Sequence, residues 1–243
     1  MPDLAVVIPV RNESANIEPL LAEIAAALDG FVDYQIICVD DGSTDETPQV
    51  LARIAASQPR LKVYRHRPGC GQSQAIATGI SRADAPLIAT LDGDGQNDPA
   101  DIPALVRRWQ SEPEVTRQRL LIAGWRANRR DTASKKIASR LANAIRGWAL
   151  KDRTPDTGCG TKLFPRALFL EFPRFNHMHR YLPALTIRAG GSVVSVPVNH
   201  RPRREGNSNY GNLGRALVGL PDLLGVMWLM RRPSRANVED GLT

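Results

Sequence analysis

The chain has 243 residues, with 32 lysines and arginines against 25 aspartates and glutamates, for a net charge of +7. This length is enough for one substantial hydrophobic core, and the three cysteines, an odd number without metal-site spacing, argue against a disulfide framework. Aromatic residues are scarce and no nucleic-acid-binding motif is present, so the basic excess indicates no nucleic acid but a phosphorylated small ligand or an anionic membrane surface.

Apolar runs alternate with amphipathic stretches along the first half of the chain, and Asn12 and Ser14 are good capping residues before the first amphipathic stretch. The predicted strands are Leu4–Pro9, Gln35–Asp40, Leu61–Tyr64, Leu87–Leu91 and Leu120–Gly124. The predicted helices are Ile17–Leu28, Thr47–Ala56, Gln72–Ile80 and Asp98–Trp109. This alternation predicts an α/β fold with a mostly parallel central sheet, in which ligands bind at the carboxyl ends of the strands.

Two acidic clusters lie at the ends of predicted strands. Asp40 and Asp41 end the second strand, and Asp92 and Asp94 follow the fourth. In an extended chain, residues i and i+2 project to the same side, so the carboxylates of Asp92 and Asp94 can reach one cation. Carboxylate oxygens suit Mg²⁺ or Mn²⁺, and Gln96 offers a third oxygen. Taken alone, the segment would also fit a surface turn rich in aspartate and glycine.

Seven short motifs are spread over nearly the whole chain. They are Pro9–Ile17, Asp40–Thr47, Arg65–Gly79, Asp92–Pro99, Gly124–Arg126, Asp156–Gly160 and Arg203–Ser208. Their order resembles the family-2 glycosyltransferases, and more closely the dolichol-phosphate mannose synthases and the bacterial polyprenyl-phosphate glycosyltransferases. The resemblance implies a Rossmann-like, GT-A type domain that binds a nucleotide diphosphate sugar and transfers a hexose to a polyprenyl phosphate with inversion. GDP-mannose is the leading donor, and relatives also use UDP-linked glucose, uronic acids or amino sugars.

The resemblance implies roles for individual residues. Donor binding would use Pro9, Asn12, Glu13, Asp40, Asp41, Asp92 and Ser208, with loop support as a second interpretation of Asp40. The metal would lie at Asp92, Asp94 and Gln96, the acceptor phosphate at Arg126, Lys135 and Ser139, and the catalytic residues would be Asp94, Arg126 and Arg203. A polyprenyl phosphate is already mostly ionised near neutral pH, because its second pKa is about 6, so no general base is required.

Two other functions fit part of this pattern. Transfer to a hydroxyl acceptor would need a carboxylate base, for which Asp156 is the candidate. A non-catalytic subunit that binds a nucleotide sugar would fit Asn209, which stands where the family usually has a lysine.

Two helical stretches fit either contact with the cytoplasmic membrane surface or packing on the sheet or on a second subunit. Lys136–Leu150 carries an apolar stripe, and Leu213–Met230 is mostly apolar but interrupted by charges and followed by Arg231 and Arg232. No signal peptide and no apolar run of membrane-spanning length is visible, so we expect a cytoplasmic protein that is peripheral on the inner face of the cell membrane.

The same pattern divides the chain. We expect residues 1–212 to form the catalytic domain and residues 213–243 to form an interfacial or packing helix and a tail. Synthases with transmembrane segments carry them beyond this point, which leaves room for a small membrane-protein partner.

Overall fold

A computed structural model describes residues 1–127, 146–147, 149–152, 154–202 and 212–232, with side chains in the last segment described from 219 onward. The strands are β1 (Leu4–Val10), β2 (Tyr34–Asp40), β3 (Leu61–Arg65), β4 (Leu87–Thr90), β5 (Leu120–Trp125), β6 (Lys162–Pro165) and β7 (Ser192–Pro197). They form one sheet in the order β3-β2-β1-β4-β6-β5-β7. Neighbouring strands pair in parallel except β6, which runs antiparallel to both β4 and β5.

Helices cover both faces of this sheet. Those described are α1 (Ser14–Leu28), α2 (Thr47–Ser57), α3 (Gln72–Ser81), α4 (Ile102–Gln110), α5 (Glu114–Arg117), α6 (Arg166–Leu170), α7 (Leu182–Arg188) and α8 (Asn212–Met230), with 3₁₀ turns at Pro99–Asp101 and Met178–Arg180. Residues of α1, α2 and α4 contribute to one hydrophobic cluster, and residues of α3, α6, α7 and α8 contribute to the other.

The alternation of side chains in β1 explains this two-sided core. Leu4, Val6 and Ile8 belong to one cluster, whereas Ala5 and Val7 belong to the other. Successive side chains of a strand point to opposite faces of the sheet, so a strand that is apolar at every position must be covered on both sides. β1 therefore lies in the centre of the sheet, between β2 and β4.

The predicted mixed α/β fold with a mostly parallel sheet is confirmed. All five predicted strands and four predicted helices occur within a few residues of their expected bounds, although the predicted helix Asp98–Trp109 begins as a 3₁₀ turn and becomes α4 only at Ile102. Strands β6 and β7 and helices α5 to α7 were not predicted. Their apolar runs are short, and short runs do not distinguish strand from helix.

The expected capping of α1 is wrong in detail. Glu13 occupies the N-cap position without a side-chain cap, and the backbone N–H of Ser14 donates to Asp45 Oδ2 at 3.3 Å. Asn12 has a φ of 55° and accepts a 2.9 Å hydrogen bond from the backbone N–H of Thr44 through its Oδ1. The first turn of α1 is thus held by the loop that follows β2, a long-range contact that local sequence does not reveal.

The geometry of the sheet gathers several chain segments at one edge. Val10 pairs with Asp40 at the carboxyl ends of β1 and β2, and Thr90 at the end of β4 pairs with Lys162 at the start of β6. Because β6 is antiparallel, the loop that precedes it reaches the same edge as the loops that follow the parallel strands. This edge carries both acidic clusters.

Candidate active site

The loop after β4 presents the two aspartates of the predicted metal site. The backbone N–H of Asp92 donates to Asn97 Oδ1 at 2.9 Å, and the backbone N–H of Gln96 donates to Asp94 Oδ1 at 3.1 Å. Gly95 turns the chain with a φ of 71°, in the left-handed region that glycine adopts at little cost. The loop therefore holds Asp92 and Asp94 at the strand end with its own hydrogen bonds.

Electrostatics at Asp92 favour a cation. Burial and the nearby charge of Asp94 raise the pKa of Asp92 to about 6, although Lys162 and Arg126 act in the opposite direction. Two neighbouring carboxylates destabilise each other's charged forms, and a divalent cation relieves that repulsion. The donor set consists of hard oxygen ligands, and Asp92 is oriented by the Gln72 amide, which donates to its Oδ1 at 2.9 Å. The residues present thus fit Mg²⁺ or Mn²⁺.

Gly160 defines one wall of the site. A Cβ atom at this position would overlap the carboxylate of Asp92. The carbonyl oxygen of Gly160 also accepts a 2.6 Å hydrogen bond from Thr90 Oγ1, which fixes the loop before β6 against the end of β4. Only glycine allows the two segments to approach this closely.

Lys162 is buried near Asp92 and was not identified from the sequence as a site residue. It is 4% exposed, and its ammonium group donates to the carbonyl oxygens of Thr157 and Cys159. Burial holds the pKa of this ammonium below its ordinary value, although the charges of Asp92 and Asp156 act in the opposite direction. Local sequence gave little signal for it, because Lys162 begins a strand of four residues of mixed polarity, although a buried lysine is rare unless it is paired.

Arg126 is fixed against the loop before β6 by a bidentate ion pair. Its Nε and Nη2 atoms donate to the two carboxylate oxygens of Asp156 at 2.6 and 2.9 Å, and both side chains are largely buried. Burial lowers the pKa of Arg126, but the Asp156 carboxylate outweighs it and holds the pKa above its ordinary value. Both oxygens of Asp156, the candidate base of the rival mechanism, therefore accept hydrogen bonds from a guanidinium group.

Asp40 and Asp41 lie at the carboxyl end of β2. Asp40 is buried, accepts from the backbone N–H of Ser43 at 2.9 Å and pairs with Arg65 at 2.8 Å, which agrees with the loop-support interpretation. Asp41 accepts from the backbone N–H groups of Cys70 and Gly71, both at 2.7 Å. These contacts join the loop after β2 to the loop before α3. Donor binding by either carboxylate stays a prediction.

The remaining predicted donor-binding residues that the structure describes lie near the end of β1. Pro9 is buried within β1, and its carbonyl oxygen would lie 3.0 Å from a Cβ atom at Gly93, so the strand and the metal loop are in close contact. The backbone N–H of Glu13 donates to Thr47 Oγ1 at 2.9 Å, and Glu13 Oε2 accepts from the Asn16 amide at 2.7 Å. Their predicted contacts with the donor are not tested by this arrangement.

Four predicted site residues lie outside the described residues: Lys135, Ser139, Arg203 and Ser208. The chain leading to the last two is firmly attached to the metal loop. Arg201 forms ion pairs with Asp98 and with Glu23, and its backbone N–H donates to the carbonyl oxygen of Gln96 at 3.0 Å. Arg201 itself therefore lies beside Gln96, a predicted metal ligand.

Comparison with known proteins supports the same family. A family model described as glycosyl transferase family 2 matches residues 5–172. Dodecaprenyl-phosphate galacturonate synthase from Rhizobium johnstonii is 35% identical over 240 residues, covering 96% of this chain and 69% of that protein. Undecaprenyl-phosphate 4-deoxy-4-formamido-L-arabinose transferase from Photorhabdus laumondii is 32% identical over 212 residues, covering 85% of this chain and 62% of that protein. The chain thus spans roughly two thirds of the length of these relatives.

Solved structures show the same fold. Glucosyl-3-phosphoglycerate synthase from Mycobacterium tuberculosis, in complex with Mn²⁺, UDP and phosphoglyceric acid, matches with a TM-score of 0.68 at 19% identity, covering 97% of this chain and 80% of that one. A mannosyltransferase from Pyrobaculum calidifontis, in complex with GDP-Man and Mn²⁺, matches with a TM-score of 0.58 at 22% identity, covering 84% and 58%. The family predicted from the sequence motifs is confirmed, and the chain belongs to glycosyl transferase family 2.

Proposed function

We propose that the protein transfers a sugar from a nucleotide diphosphate sugar to a polyprenyl phosphate, with inversion at the anomeric carbon. The observation that carries this proposal is the meeting of two opposite charge centres at one sheet edge. The Asp92 and Asp94 loop supplies oxygen ligands for a cation, and Asp156 holds Arg126 at the loop before β6, the same loop whose Gly160 touches the Asp92 carboxylate. Such a site can hold two phosphorylated substrates at once.

On the donor side, Asp92, Asp94 and Gln96 would hold Mg²⁺ or Mn²⁺. When bound, this cation would neutralise the departing nucleotide diphosphate. The protein supplies the orientation, because Gln72 fixes the Asp92 carboxylate and Gly160 closes one side of it. The loops that carry Asn12, Glu13, Asp40 and Asp41 would hold the base and ribose of the nucleotide, whose N–H and O–H groups are donors that suit carboxylate acceptors.

On the acceptor side, Arg126 would bind the lipid phosphate together with Lys135 and Ser139. A guanidinium group presents a fixed fork of donors that matches a phosphate, and Asp156 holds that fork in place. The acceptor oxygen is already ionised, so the task of the protein is to place it in line with the anomeric carbon. The ion pair of Asp156 with Arg126 supports this mechanism over one in which Asp156 acts as a general base.

The identity of the sugar rests on the relatives. The two relatives described above are named for transfer of galacturonate and of 4-deoxy-4-formamido-L-arabinose, so we place a UDP-linked uronic or amino sugar ahead of GDP-mannose. One solved structure of the same fold binds UDP and another binds GDP-Man, so the fold is compatible with either nucleotide.

A transfer assay tests the proposed function. The protein is incubated with labelled UDP-galacturonate, UDP-glucose or GDP-mannose, with polyprenyl phosphate and with Mg²⁺ or Mn²⁺, and label is counted in the organic phase. We expect lipid-linked label with at least one donor, loss of label with EDTA, and recovery when Mg²⁺ or Mn²⁺ is restored. Label that appears only on a soluble or protein hydroxyl acceptor would support the rival transferase, and binding of nucleotide sugars without any transfer would support the non-catalytic subunit.

Helix α8 supports placement at the cytoplasmic membrane surface. Its inner face packs on the second core cluster through Val226, and His177 pairs with Asp222 at 2.8 Å. Its outer face exposes Leu220, Leu224 and Trp228 by 60%, 57% and 58%, four residues apart and hence on one side of the helix. One face of the helix thus packs on the core, and the exposed apolar face supports the proposed contact with lipid.

Charge at the end of α8 matches an anionic lipid surface. Arg231 and Arg232 follow the helix, and the Arg232 guanidinium lies 5.2 Å from the centre of the Trp228 ring. Tryptophan and arginine together are typical of the membrane interface. Among the described residues, no helix combines the length and apolarity needed to cross a bilayer. A peripheral position would bring the site to the lipid phosphate, with or without a small membrane-protein partner.

Cosedimentation with liposomes tests this placement. Truncation before α8 would expose the core at Val226, so a point substitution on the outer face is the cleaner change. Burial of one leucine contributes about 1.5–3 kcal/mol, so Leu224→Asp should weaken binding to anionic liposomes by at least about 10-fold. Salt should weaken the binding of the unaltered protein, because each basic residue near an anionic surface contributes about 1 kcal/mol.

Val115→Asp is the matched control, because Val115 is 78% exposed on α5. It should leave liposome binding unchanged. If Leu224→Asp also leaves binding unchanged, the outer face of α8 is a protein interface and the lipid placement is wrong.

A further inference from the structure

Three metal-ligating side chains of different chemistry meet outside the Asp92 loop. They are Asp41 after β2, His66 after β3 and Cys70 in the loop before α3. One ligand atom from each, namely a carboxylate oxygen, an imidazole nitrogen and the thiol sulfur, lies within 4.8 Å of the other two. The cysteine spacing in the sequence gave no sign of this cluster, because its members come from two loops that are distant in the chain, with Asp41 in one and His66 and Cys70 in the other.

Two of the three ligands are already oriented by the fold. His66 Nε2 lies 3.0 Å from Thr78 Oγ1, which fixes the ring and directs Nδ1 toward Asp41 Oδ1 at 2.8 Å. The other oxygen of Asp41 accepts from the backbone N–H of Gly71. Burial raises the pKa of Asp41, but hydrogen bonds from Cys70, His66 and Gly71 outweigh it and hold the pKa below its ordinary value. The carboxylate is therefore anionic at neutral pH, and both groups have the outer partners typical of metal ligands.

The chemistry of the donor set selects a different metal from that of the Asp92 site. A sulfur, a nitrogen and an oxygen ligand suit Zn²⁺, whereas Mg²⁺ prefers oxygen alone. We propose that Asp41, His66 and Cys70 form a second cation site, which binds Zn²⁺ with a water molecule in the fourth position while the donor is absent, because Asp41 is also a predicted donor-binding residue. Cys70 is exposed, so the cation has direct access from solvent.

Coordination requires proton transfers and a rearrangement of three ligand atoms that lie within 4.8 Å of one another. The Cys70 thiol releases its proton to solvent and binds as a thiolate. In the neutral imidazole the proton that Nδ1 donates to Asp41 moves through solvent to Nε2, which then donates it to Thr78 Oγ1, and the freed lone pair of Nδ1 binds the cation. Tetrahedral ligands at about 2.0–2.3 Å from the metal lie about 3.3–3.7 Å apart, so Nδ1 and Oδ1 must separate by roughly half an ångström or slightly more.

The bound cation would connect the loop after β2 with the loop after β3. These loops already touch, because a Cβ atom at Gly42 would lie 2.6 Å from the backbone nitrogen of Gly69. The cation would add a coordinate link across that contact. Zn²⁺ should therefore raise the Tm of the protein through its binding to the folded state, independently of any sugar transfer.

Titration of the metal-free full chain with Co²⁺, a coloured substitute for Zn²⁺, tests the site. We expect a thiolate-to-Co²⁺ charge-transfer absorption that saturates at one equivalent and that Zn²⁺ abolishes but excess Mg²⁺ does not. Cys70→Ser should remove this absorption and weaken Zn²⁺ binding by more than about 100-fold, since loss of even an outer partner costs 10- to 100-fold. The Zn²⁺-dependent rise in Tm should disappear with it.

Asp92→Asn is the matched control, because it alters the predicted Mg²⁺ site and leaves this cluster intact. It should keep the absorption. Cys70 is exposed, so Cys70→Ser should fold, and its unaltered Tm without metal verifies this. The proposal is overturned if the unaltered protein shows no charge-transfer absorption, or if the absorption persists in Cys70→Ser.

Discussion

Asp94→Asn is expected to lower kcat by about two to three orders of magnitude, the effect typical of losing one group that stabilises a transition state. The substitution keeps the size of the side chain and its oxygen acceptor, which receives the N–H of Gln96. It removes one of the two charges that bind the cation. It also removes the charge that raises the pKa of Asp92, so the remaining carboxylate should ionise at lower pH.

Two measurements check this expectation. Steady-state transfer at saturating metal gives kcat, and calorimetric titration with Mn²⁺ gives the metal affinity, which should fall in parallel. Asp84→Asn makes the same chemical change at an exposed ion pair with Lys62 and should leave both quantities unchanged. Near-normal turnover of both Asp94→Asn and Asp92→Asn would rule out the predicted metal site.

Arg126→Ala is expected to raise the KM for polyprenyl phosphate by about 10- to 100-fold, with a smaller change for the nucleotide sugar. The range corresponds to about 1.5–3 kcal/mol for a charged hydrogen bond. The change also leaves the buried Asp156 carboxylate without its bidentate partner, so the folded state should lose stability. Measurement of both KM values together with Tm separates loss of binding from loss of structure.

Arg119→Ala is the control for Arg126→Ala. It removes an exposed arginine that pairs with Glu171 and should leave both KM values unchanged. Equal increases for the two substrates in Arg126→Ala would mean that the ion pair only organises the loop before β6. Asp156→Asn addresses the rival mechanism. A selective collapse of kcat, with folding and binding of both substrates intact, would favour Asp156 as a general base.

The sequence predicts strands β1 to β4 and the helices between them well, because their signals are local. Strands β1 to β4 are short apolar runs separated by helices, and the pairing of β1 with β2 and of β2 with β3 joins strands that follow each other in the chain. The antiparallel strand β6 has no such signal. It pairs with β4 across more than 70 residues, through Thr90 and Lys162, and four residues of mixed polarity do not indicate a strand.

The same distinction explains what was found and missed in the site. The spacing of Asp92 and Asp94 is visible within three residues, so the pair was predicted directly. The contact of Gly160 with Asp92 and the pairing of Arg126 with Asp156 depend on where β6 enters the sheet. The cluster of Asp41, His66 and Cys70 likewise depends on the tight approach of two loops. Such contacts follow from tertiary packing and leave no periodic pattern in the sequence.

The polarity of the sheet also determines where a label can be attached. The opposite edge of the sheet, lined by Met1, Asp3, Asp84, Arg166 and Leu170, carries none of the predicted site residues. Leu170 is 42% exposed there, so a fluorophore on Leu170→Cys in a Cys70→Ser background, which removes the exposed thiol of the substrate edge, should leave that edge accessible, as should immobilisation through Met1. A sensor chip prepared in this way would present the metal loop and Arg126 to the solution, with the length of the strands between them and the support.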